Sequence, residues 1–174
     1  GLAYMTVDDI LEHVLEREGW PTYSEHPHDK GGPTKGGITL RTLESWRHRR
    51  CTRKELQRLD KKEALYILQR RYVETNGIHR LSGHPLQAQV VDSAVLSGPV
   101  IAVKELQKVL RVSDDGICGN ITMKAVEDAD GDALSNAVAV ARSLRLARIV
   151  VKRPDQLVFL SGWLKRALSF VRTI

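Results

Sequence analysis

Cysteine is scarce in this chain of 174 residues, which contains only Cys51 and Cys118. No CxxC pair and no histidine at metal-ligand spacing accompany them, so the sequence does not favour a structural zinc site. Two buried free thiols are favoured over a disulfide, which stays open if the protein works outside the cytoplasm. A chain of this length can bury a sufficient core without disulfides.

Long apolar runs are also missing, because no stretch approaches the roughly 20 apolar residues that cross a membrane. The start, GLAYMTVDD, lacks the charged, apolar and small-residue regions of a secretory signal. A removed upstream anchor would leave the same sequence, so the export route stays open. The hydrophobic share of 42% and charged share of 28% are typical of a soluble globular protein.

The formal net charge of +6 indicates an anionic partner, for which nucleic acid, acidic membrane and bacterial cell wall all qualify. The densest basic cluster is WRHRRCTRK, residues 46–54. A helix-turn-helix protein that binds DNA would present such a cluster. The alternative is a solvated face that helps the protein approach anionic wall polymers.

Helical spacing dominates the apolar pattern. It predicts a first helix from Thr6 to near Glu18, capped by Gly19. Residues 20–38 have the composition of turns or a short hairpin. Further helices are predicted after Leu40 and after caps at Thr52 and Asp60, with the last of these running to about Tyr72. Others are predicted over Leu86 to Leu96, from Pro99, and from a cap at Asn120 to about Ala129. The final two run from Asp132 to Arg153 and from Pro154, and the apolar side of the last helix consists of Leu157, Leu160, Leu164 and Leu168. The fold class is therefore all-α or nearly so.

Glu18 is the one glutamate of the first helix that faces the apolar stripe. A rotation of about 100° per residue places Glu12 and Glu16 on the opposite side. A carboxyl in the stripe would be partly desolvated, which favours the protonated form that a general acid requires. The alternative is a frayed helix end whose carboxylate faces water, and helix geometry alone favours that alternative.

Other polar residues carry two interpretations each. Asp29 suits a turn, but glycosidic hydrolysis also needs a second carboxylate facing the acid. The Thr34 hydroxyl could orient a water molecule or cap a turn. Trp20 and Tyr23 could stack on sugars or pack within the loop. Asp92, on a mostly apolar helix, needs a partner and could brace a cleft or a helix end.

Residues 18–39, EGWPTYSEHPHDKGGPTKGGIT, resemble glycoside hydrolase family 108, the phage and secretion-activator type muramidases. Members carry a helix that ends in Glu-Gly, then Asp-x-Gly-Gly-x-Thr and Gly-Ile-Thr. The resemblance extends through the DGxxGxxT pattern at residues 115–122, in a half similar to peptidoglycan-binding domains, to a closing Gly-Trp-x-x-Arg segment at Gly162. Three residues depart from the pattern: Trp20 replaces a usual glycine, Gly36 a common aromatic residue, and Leu96 a usual asparagine.

The resemblance implies an all-α, lysozyme-like fold with a catalytic region at residues 6–98 and a peptidoglycan-binding-like subdomain at residues 99–174. It implies cleavage of the β-1,4 bond between N-acetylmuramic acid and N-acetylglucosamine. Glu18 would be the acid, while Asp29 and Thr34 would handle the attacking water. The cleft would lie between the first helix, the glycine-rich loop and the helices of residues 60–98. The expected substrate contacts are Trp20, Tyr23, Gly37, Tyr72 and Asp92.

The expected partner is bacterial peptidoglycan, with no cofactor, no metal, no nucleic acid and no stable membrane insertion. The expected role is that of a monomeric phage or prophage endolysin, made in the bacterial cytoplasm and acting in the periplasm or cell wall. The resemblance favours the wall-approach interpretation of the basic cluster over DNA binding. A module that binds peptidoglycan without cutting it remains the main alternative. The glycine-rich loop between the carboxylates favours an inverting mechanism.

Overall fold

A computed structural model describes residues 5–28 and 30–173. Its contacts form two compact units, which we treat separately. The N-terminal unit consists of Asp8–Arg71, and the C-terminal unit consists of residues 72–173 together with residues 5–7. Helices make up most of both units, and the strands of the described residues all lie in the N-terminal one. The predicted all-α class is therefore confirmed.

Helix α1, Val7–Arg17, buries the apolar stripe that its sequence predicts, with Ile10, Leu11, Val14 and Leu15 all buried. Gly19 ends the helix in a left-handed conformation, at φ 84°. The Gly19 N–H bonds to the carbonyl of Glu16 and the Trp20 N–H to that of Leu15, both at 3.0 Å. This pair of bonds defines a Schellman motif, which satisfies carbonyl groups that a helix end leaves open. The predicted end near Glu18 is confirmed.

A small antiparallel sheet follows, made of β1 (Tyr23–Ser24), β2 (Thr34–Lys35) and β3 (Ile38–Thr39) in that order. Lys35 pairs with Ile38, so Gly36 and Gly37 form a two-residue hairpin turn. Their φ angles are 55° and 80°, the left-handed pair that a type I′ turn requires. The prediction of turns or a hairpin for residues 20–38 is confirmed, with β3 extending one residue further.

Three α-helices complete the N-terminal unit: α2 (Leu40–Arg47), α3 (Arg53–Gln57) and α4 (Lys61–Gln69). Thr52 caps α3 in a reciprocal capping box with Glu55, and Asp60 caps α4 by accepting a bond from the Glu63 N–H. Both predicted caps are confirmed. Helix α4 ends slightly before the predicted residue, and a π-helical turn, Arg70–Glu74, continues the chain.

Among its described residues, the C-terminal unit contains two 3₁₀ segments and five α-helices, in which α5 packs chiefly on α6, and α8 on α9. Gly98, at φ 94°, ends α5, and Pro99 opens α6, as the sequence predicts. No helix among the described residues is both long enough and apolar enough to cross a membrane. The elements are a 3₁₀ segment (Thr75–Leu81), α5 (Leu86–Ser97), α6 (Pro99–Leu110), α7 (Asn120–Asp128), α8 (Gly131–Lys152), a second 3₁₀ segment (Pro154–Gln156) and α9 (Leu157–Leu168).

Two helix starts of the C-terminal unit differ from prediction. Asp130 caps α8 in place of Asp132, because its Oδ1 accepts a bond from the Ala133 N–H at 2.8 Å. Asn120 is the first residue of α7 and not its cap. Its side-chain oxygen accepts a bond from Arg80 at 2.8 Å, so a tertiary contact has displaced the local one.

The apolar side predicted for the last helix is only partly buried. Leu157 is 61% exposed and Leu168 is 50% exposed, so the predicted stripe is wrong at both ends. Buried positions in this segment are Ala167 and, just beyond the helix, Phe170. A periodic pattern shows which residues share a side of a helix, but it does not show how far along the helix the neighbouring elements reach.

Candidate active site

Glu18 directly follows α1 and makes the last α-helical bond, from its N–H to the carbonyl of Val14 at 3.1 Å. Its side chain lies against the hairpin turn. A Cβ atom built on Gly37 would stand 2.9 Å from Cγ of Glu18 and 3.0 Å from its Cβ. Gly37 therefore serves twice, since it adopts a left-handed conformation and leaves space for the glutamate. One close contact thus joins the end of α1 to the turn between β2 and β3.

The Glu18 side chain is exposed, which agrees with the alternative that helix geometry alone favours, a carboxylate facing water, and not with partial desolvation. The physical reason is the Schellman motif. Rotation about the helix axis predicts side-chain directions only while the helix continues, and Gly19 redirects the chain immediately after Glu18. The carboxylate therefore extends over the hairpin turn, where a bound molecule can reach it.

Trp20 packs on the other glycine of the same turn. A Cβ atom on Gly36 would stand 2.6 Å from Cε3 of the Trp20 ring. The Lys35 ammonium lies 4.9 Å from the centre of that ring, a cation–π contact. These contacts match the loop-packing interpretation of Trp20. They also explain together why Trp20 and Gly36 both differ from the family pattern, because the aromatic ring at position 20 fills the space above the glycine at position 36.

Lys35 is a buried cation that sequence reasoning missed. Its side chain donates to the carbonyls of Gln57, at 2.6 Å, and Leu59, at 2.8 Å. Lys35 is only 8% exposed, and a buried ammonium group is tolerated when its donors are satisfied. Both acceptors lie at the end of α3 or just beyond it, so Lys35 fixes the hairpin to that helix end. Because the acceptors are backbone groups distant in sequence, no local signal could have identified them.

Thr34 and Tyr23 occupy neighbouring strands of the small sheet. The Thr34 and Ser24 hydroxyl oxygens are 3.2 Å apart, which ties β2 to β1. The Tyr23 hydroxyl donates to Glu25 at 2.9 Å, and Glu25 accepts a second bond from Arg53 at 2.8 Å. Partial burial and the Glu25 contact raise the pKa of Tyr23, whereas the Arg53 and Tyr23 bonds lower the pKa of Glu25.

Asp29, the predicted second carboxylate, lies outside the described residues, so its role stays a prediction. The remaining predicted contacts, Tyr72 and Asp92, belong to the C-terminal unit. Tyr72 lies half-buried in the π-helical turn. Within the part of the chain that the structure describes, His, Cys, Asp and Glu side chains form no cluster that could hold a metal ion.

Asp92 is 4% exposed, and each of its two oxygens accepts a bond from an arginine. Arg142 donates to Oδ2 and Arg166 to Oδ1, both at 2.6 Å. Arg142 is completely buried, so Asp92 provides its compensating charge. These contacts connect α5 with α8 and α9, and they are the contacts of a bracing residue. They also give Arg166 of the closing segment a packing role.

The DGxxGxxT pattern is organised by Gln107, a fully buried residue of α6 that sequence reasoning missed. Its amide nitrogen donates to Asp115 at 2.8 Å and to Thr122 at 3.0 Å, and its oxygen accepts from the Gly116 N–H at 2.9 Å. The polar side chains of the pattern therefore hold their own loop together. Cys118, in the same loop, is a free buried thiol, and burial raises its pKa. Cys51 is also free and buried, so the preference for free thiols is confirmed.

A known protein family matches the part of the chain that contains Glu18 and the glycine turn. The sequence model of the family described as glycosyl hydrolase 108 matches residues 11–98, half of the chain. The chain belongs to glycoside hydrolase family 108. A second family model, described as a predicted peptidoglycan domain, matches residues 101–168.

A solved structure, that of Brucella abortus SagA, is 33% identical to this family 108 chain. The similarity covers 96% of each chain, with a TM-score of 0.62. No curated protein matches. The family supports glycoside hydrolase activity on peptidoglycan, in the cell wall or periplasm, and the predicted lysozyme-like fold is confirmed.

The two family models and the two compact units divide the chain differently. The models meet between residues 98 and 101, whereas contacts separate the units after Arg71. The difference arises because α5 lies within the family 108 match but packs chiefly on α6. The predicted domain boundary after residue 98 stays a prediction.

In this family 108 hydrolase, most arginines of the basic cluster, residues 46–54, form ion pairs with glutamates elsewhere in the N-terminal unit. Arg47 makes two bonds of 2.9 Å to Glu63, Arg49 bonds to Glu55 at 2.6 Å, and Arg53 bonds to Glu25. Arg49 and the capping bond at Thr52 lower the pKa of Glu55 to about 2. Carboxylates placed among the arginines would repel phosphate groups, so these contacts disfavour the DNA-binding alternative.

Proposed function

We propose that this family 108 hydrolase is a muramidase that cleaves the β-1,4 bond between N-acetylmuramic acid and N-acetylglucosamine, with Glu18 as general acid. One observation carries the proposal: the exposed Glu18 side chain is held against Gly37. A helix end and a hairpin turn fix its position, and the carboxyl stays open to a long polymer. General acid catalysis requires such a fixed and reachable proton donor.

In the mechanism that we propose, Glu18 gives its proton to the glycosidic oxygen as the bond to the anomeric carbon breaks. A water molecule, positioned by Thr34, attacks that carbon and loses a proton to Asp29. Bound glycan would cover the Glu18 carboxyl and remove water from it, and loss of water favours the neutral, proton-donating form of a carboxyl. The glycine-rich loop between the two carboxylates favours the inverting route.

The biological role that we propose is that of a phage or prophage endolysin. Two observations separate the enzymatic role from the alternatives. A module that only binds peptidoglycan would release no products from it, and a DNA-binding protein would not depend on Glu18. The enzymatic role requires both cleavage and a dependence on that carboxyl.

The decisive experiment is a turbidity assay on Gram-negative cells stripped of their outer membrane, with wild type and Glu18→Gln. The substitution keeps the shape of the side chain and removes the acid, so we expect the lysis rate to fall on the order of 10² to 10⁴-fold. The matched control is Glu16→Gln, because Glu16 is an exposed glutamate in the last turn of α1. Full lysis by Glu18→Gln would overturn the assignment of the acid.

Analysis of the products tests the bond. Mass spectrometry should find disaccharide-peptide fragments with N-acetylmuramic acid at the reducing end, which an amidase or a peptidase does not generate. Proton NMR of the fresh products should show the α-anomer first, as inversion of a β-bond requires. An initial β-anomer would replace the inverting route with the retaining one and leave the muramidase assignment in place.

A further inference from the structure

A cleft in the N-terminal unit, distinct from the turn that holds Glu18, is formed by α2, α4 and the start of the π-helical turn. Its volume is about 390 Å³. Three arginines contribute to its wall, together with two hydroxyl groups and an apolar surface. In the order of the chain, the lining residues are Arg41, Thr42, Ser45, Trp46, Ile67, Arg70 and Arg71.

Hydroxyl and aromatic groups position the arginines of this cleft. The Arg70 guanidinium lies 5.3 Å from the centre of the Trp46 ring and donates to the Ser45 hydroxyl at 3.1 Å. Arg71 donates to the Thr42 hydroxyl at 3.3 Å. Arg41 is exposed on α2. A guanidinium has five N–H donors in a fixed plane, so the bond from Arg70 to Ser45 leaves further donors of Arg70 for a ligand.

The charge of the cleft differs from that of the neighbouring basic cluster. Arginines of residues 46–54 bond to Glu55, Glu63 and Glu25. By contrast, none of the described residues that line the cleft is acidic. These lining residues therefore provide no carboxylate to neutralise Arg41 and Arg70. Arginine binds carboxylate and phosphate through paired hydrogen bonds, so the cleft suits an anion.

We propose that this cleft binds the carboxylate groups of the peptidoglycan stem peptide. This inference rests on the proposed muramidase function. The arginines come from two separate elements, an arrangement that suits acidic groups spaced along a chain. Trp46 and Ile67 provide apolar contact for the methyl and methylene groups between those acids. The stem peptide is attached to the muramic acid, so it accompanies each bond that the enzyme would cut.

The first test measures binding without catalysis. Calorimetric titration of the whole chain with the synthetic tetrapeptide L-Ala–γ-D-Glu–meso-diaminopimelate–D-Ala should show binding. Arg41→Glu should weaken this binding about tenfold or more, since a charged hydrogen bond is lost and a repulsive charge is gained. Arg50→Glu is the matched control, because Arg50 is exposed in the same unit and does not line the cleft. It should change the affinity by less than about twofold.

Changing the ligand provides a test without changing the protein. The same tetrapeptide with its carboxylates converted to amides should not bind to the wild type. Equal affinities of the acid and amide forms, or equal affinities of wild type and Arg41→Glu, would overturn the proposal. Binding of inorganic phosphate without any binding of the tetrapeptide would also overturn it, because the cleft would then be a phosphate site.

Activity measurements separate this inference from the proposed function. Wild type should cleave intact sacculi with a lower KM than glycan strands from which an amidase has removed the stem peptides, and Arg41→Glu should lose that preference. A preference retained by Arg41→Glu, with Glu18→Gln inactive, would overturn the stem-peptide site and leave the muramidase in place. Lysis by Glu18→Gln, with tetrapeptide binding intact, would overturn the acid assignment and support the site.

Discussion

The two units of the molecule fix their polar groups in different ways. In the N-terminal unit, backbone turns determine where the side chains lie: Gly19 ends α1, and Gly36 with Gly37 turns the hairpin. In the C-terminal unit, buried polar side chains determine the packing, with Asp92 bonded to arginines and Gln107 at the centre of its loop. At these sites the first unit depends on glycines, whose missing side chains leave room for Glu18 and Trp20, and the second depends on partners for buried polar groups.

These contacts predict a different damaging change at each of these sites. Adding atoms at a glycine should damage the N-terminal unit, because the space is already occupied by Glu18 and Trp20. Removing a polar group should damage the C-terminal unit, because its buried partner then loses a bond to which water has no access.

The largest effect is expected for Asp92→Ala. This substitution leaves the buried Arg142 guanidinium without its compensating charge, so the free energy of unfolding should fall by about 3–5 kcal/mol. Urea denaturation followed by circular dichroism measures the change. Asp128→Ala is the control, because Asp128 and Lys124 form an exposed pair on α7 and should contribute less than about 1 kcal/mol. Similar losses for both variants would show that burial of Asp92 and its two arginine partners does not increase its contribution to stability.

A smaller effect is expected for Gly36→Ala. The new Cβ would lie 2.6 Å from the Trp20 ring, and the alanine would have to adopt a left-handed backbone conformation. Together these effects should lower the free energy of unfolding by about 2–3 kcal/mol. Gly32→Ala is the control, because Gly32 also has a positive φ, of 71°, but has open space where the Cβ would lie. It should cost only about 1–2 kcal/mol.

A double-mutant cycle then isolates the contact between the two residues. In a Trp20→Ala background, Gly36→Ala should cost no more than Gly32→Ala does, because the ring that it would meet is gone. An unchanged cost in that background would show that the left-handed backbone alone is responsible. Packing above the turn would then play no part in the stability of the N-terminal unit.

The smallest effect concerns pH and His84 of the C-terminal unit. The His84 Nδ1 accepts a bond from the Leu86 N–H at 3.1 Å, which requires that nitrogen to be unprotonated. Burial lowers the pKa of His84 below its ordinary value of 6.5. Because the folded pKa is below the unfolded one, the stabilisation is present above pH 6.5 and is lost as the pH falls through the folded pKa.

Urea denaturation between pH 7.5 and pH 5 measures this loss, in wild type and in His84→Asn. The asparagine oxygen can accept the same bond but does not titrate, so the variant should show a shallower decline in unfolding free energy over this range. An identical decline in both proteins would assign the pH dependence to other groups.

Local features of the fold could be predicted from the sequence because their causes lie within a few residues. Gly19 ends α1, Thr52 and Asp60 cap their helices, and Gly98 separates α5 from α6. Each depends on a backbone conformation or a bond to the next turn. The family resemblance rested on residues 18–39, and the match to family 108 over residues 11–98 confirms the family. The catalytic role of this segment stays a prediction.

Features that depend on distant partners could not be predicted. The helical pattern placed Glu18 toward the core, but the chain turns at Gly19, and Gly37 then determines where the side chain lies. Burial of Lys35 depends on carbonyls more than twenty residues away. In the sequence, Gln107 resembles any polar residue of an amphipathic helix, and only the structure shows that the loop bonds to its side chain.

The contact between Trp20 and Gly36 also constrains how such proteins can diverge. An aromatic ring at both positions would clash, and glycine at both would leave the turn uncovered. A lineage that moves the ring from one position to the other must therefore pass through one of these two states, and the uncovered turn is the less damaging because it introduces no overlap of atoms. Positions 20 and 36 should consequently change together. A sequence comparison that treats the two positions as independent would count two substitutions, although the volume of the one ring above the turn is preserved.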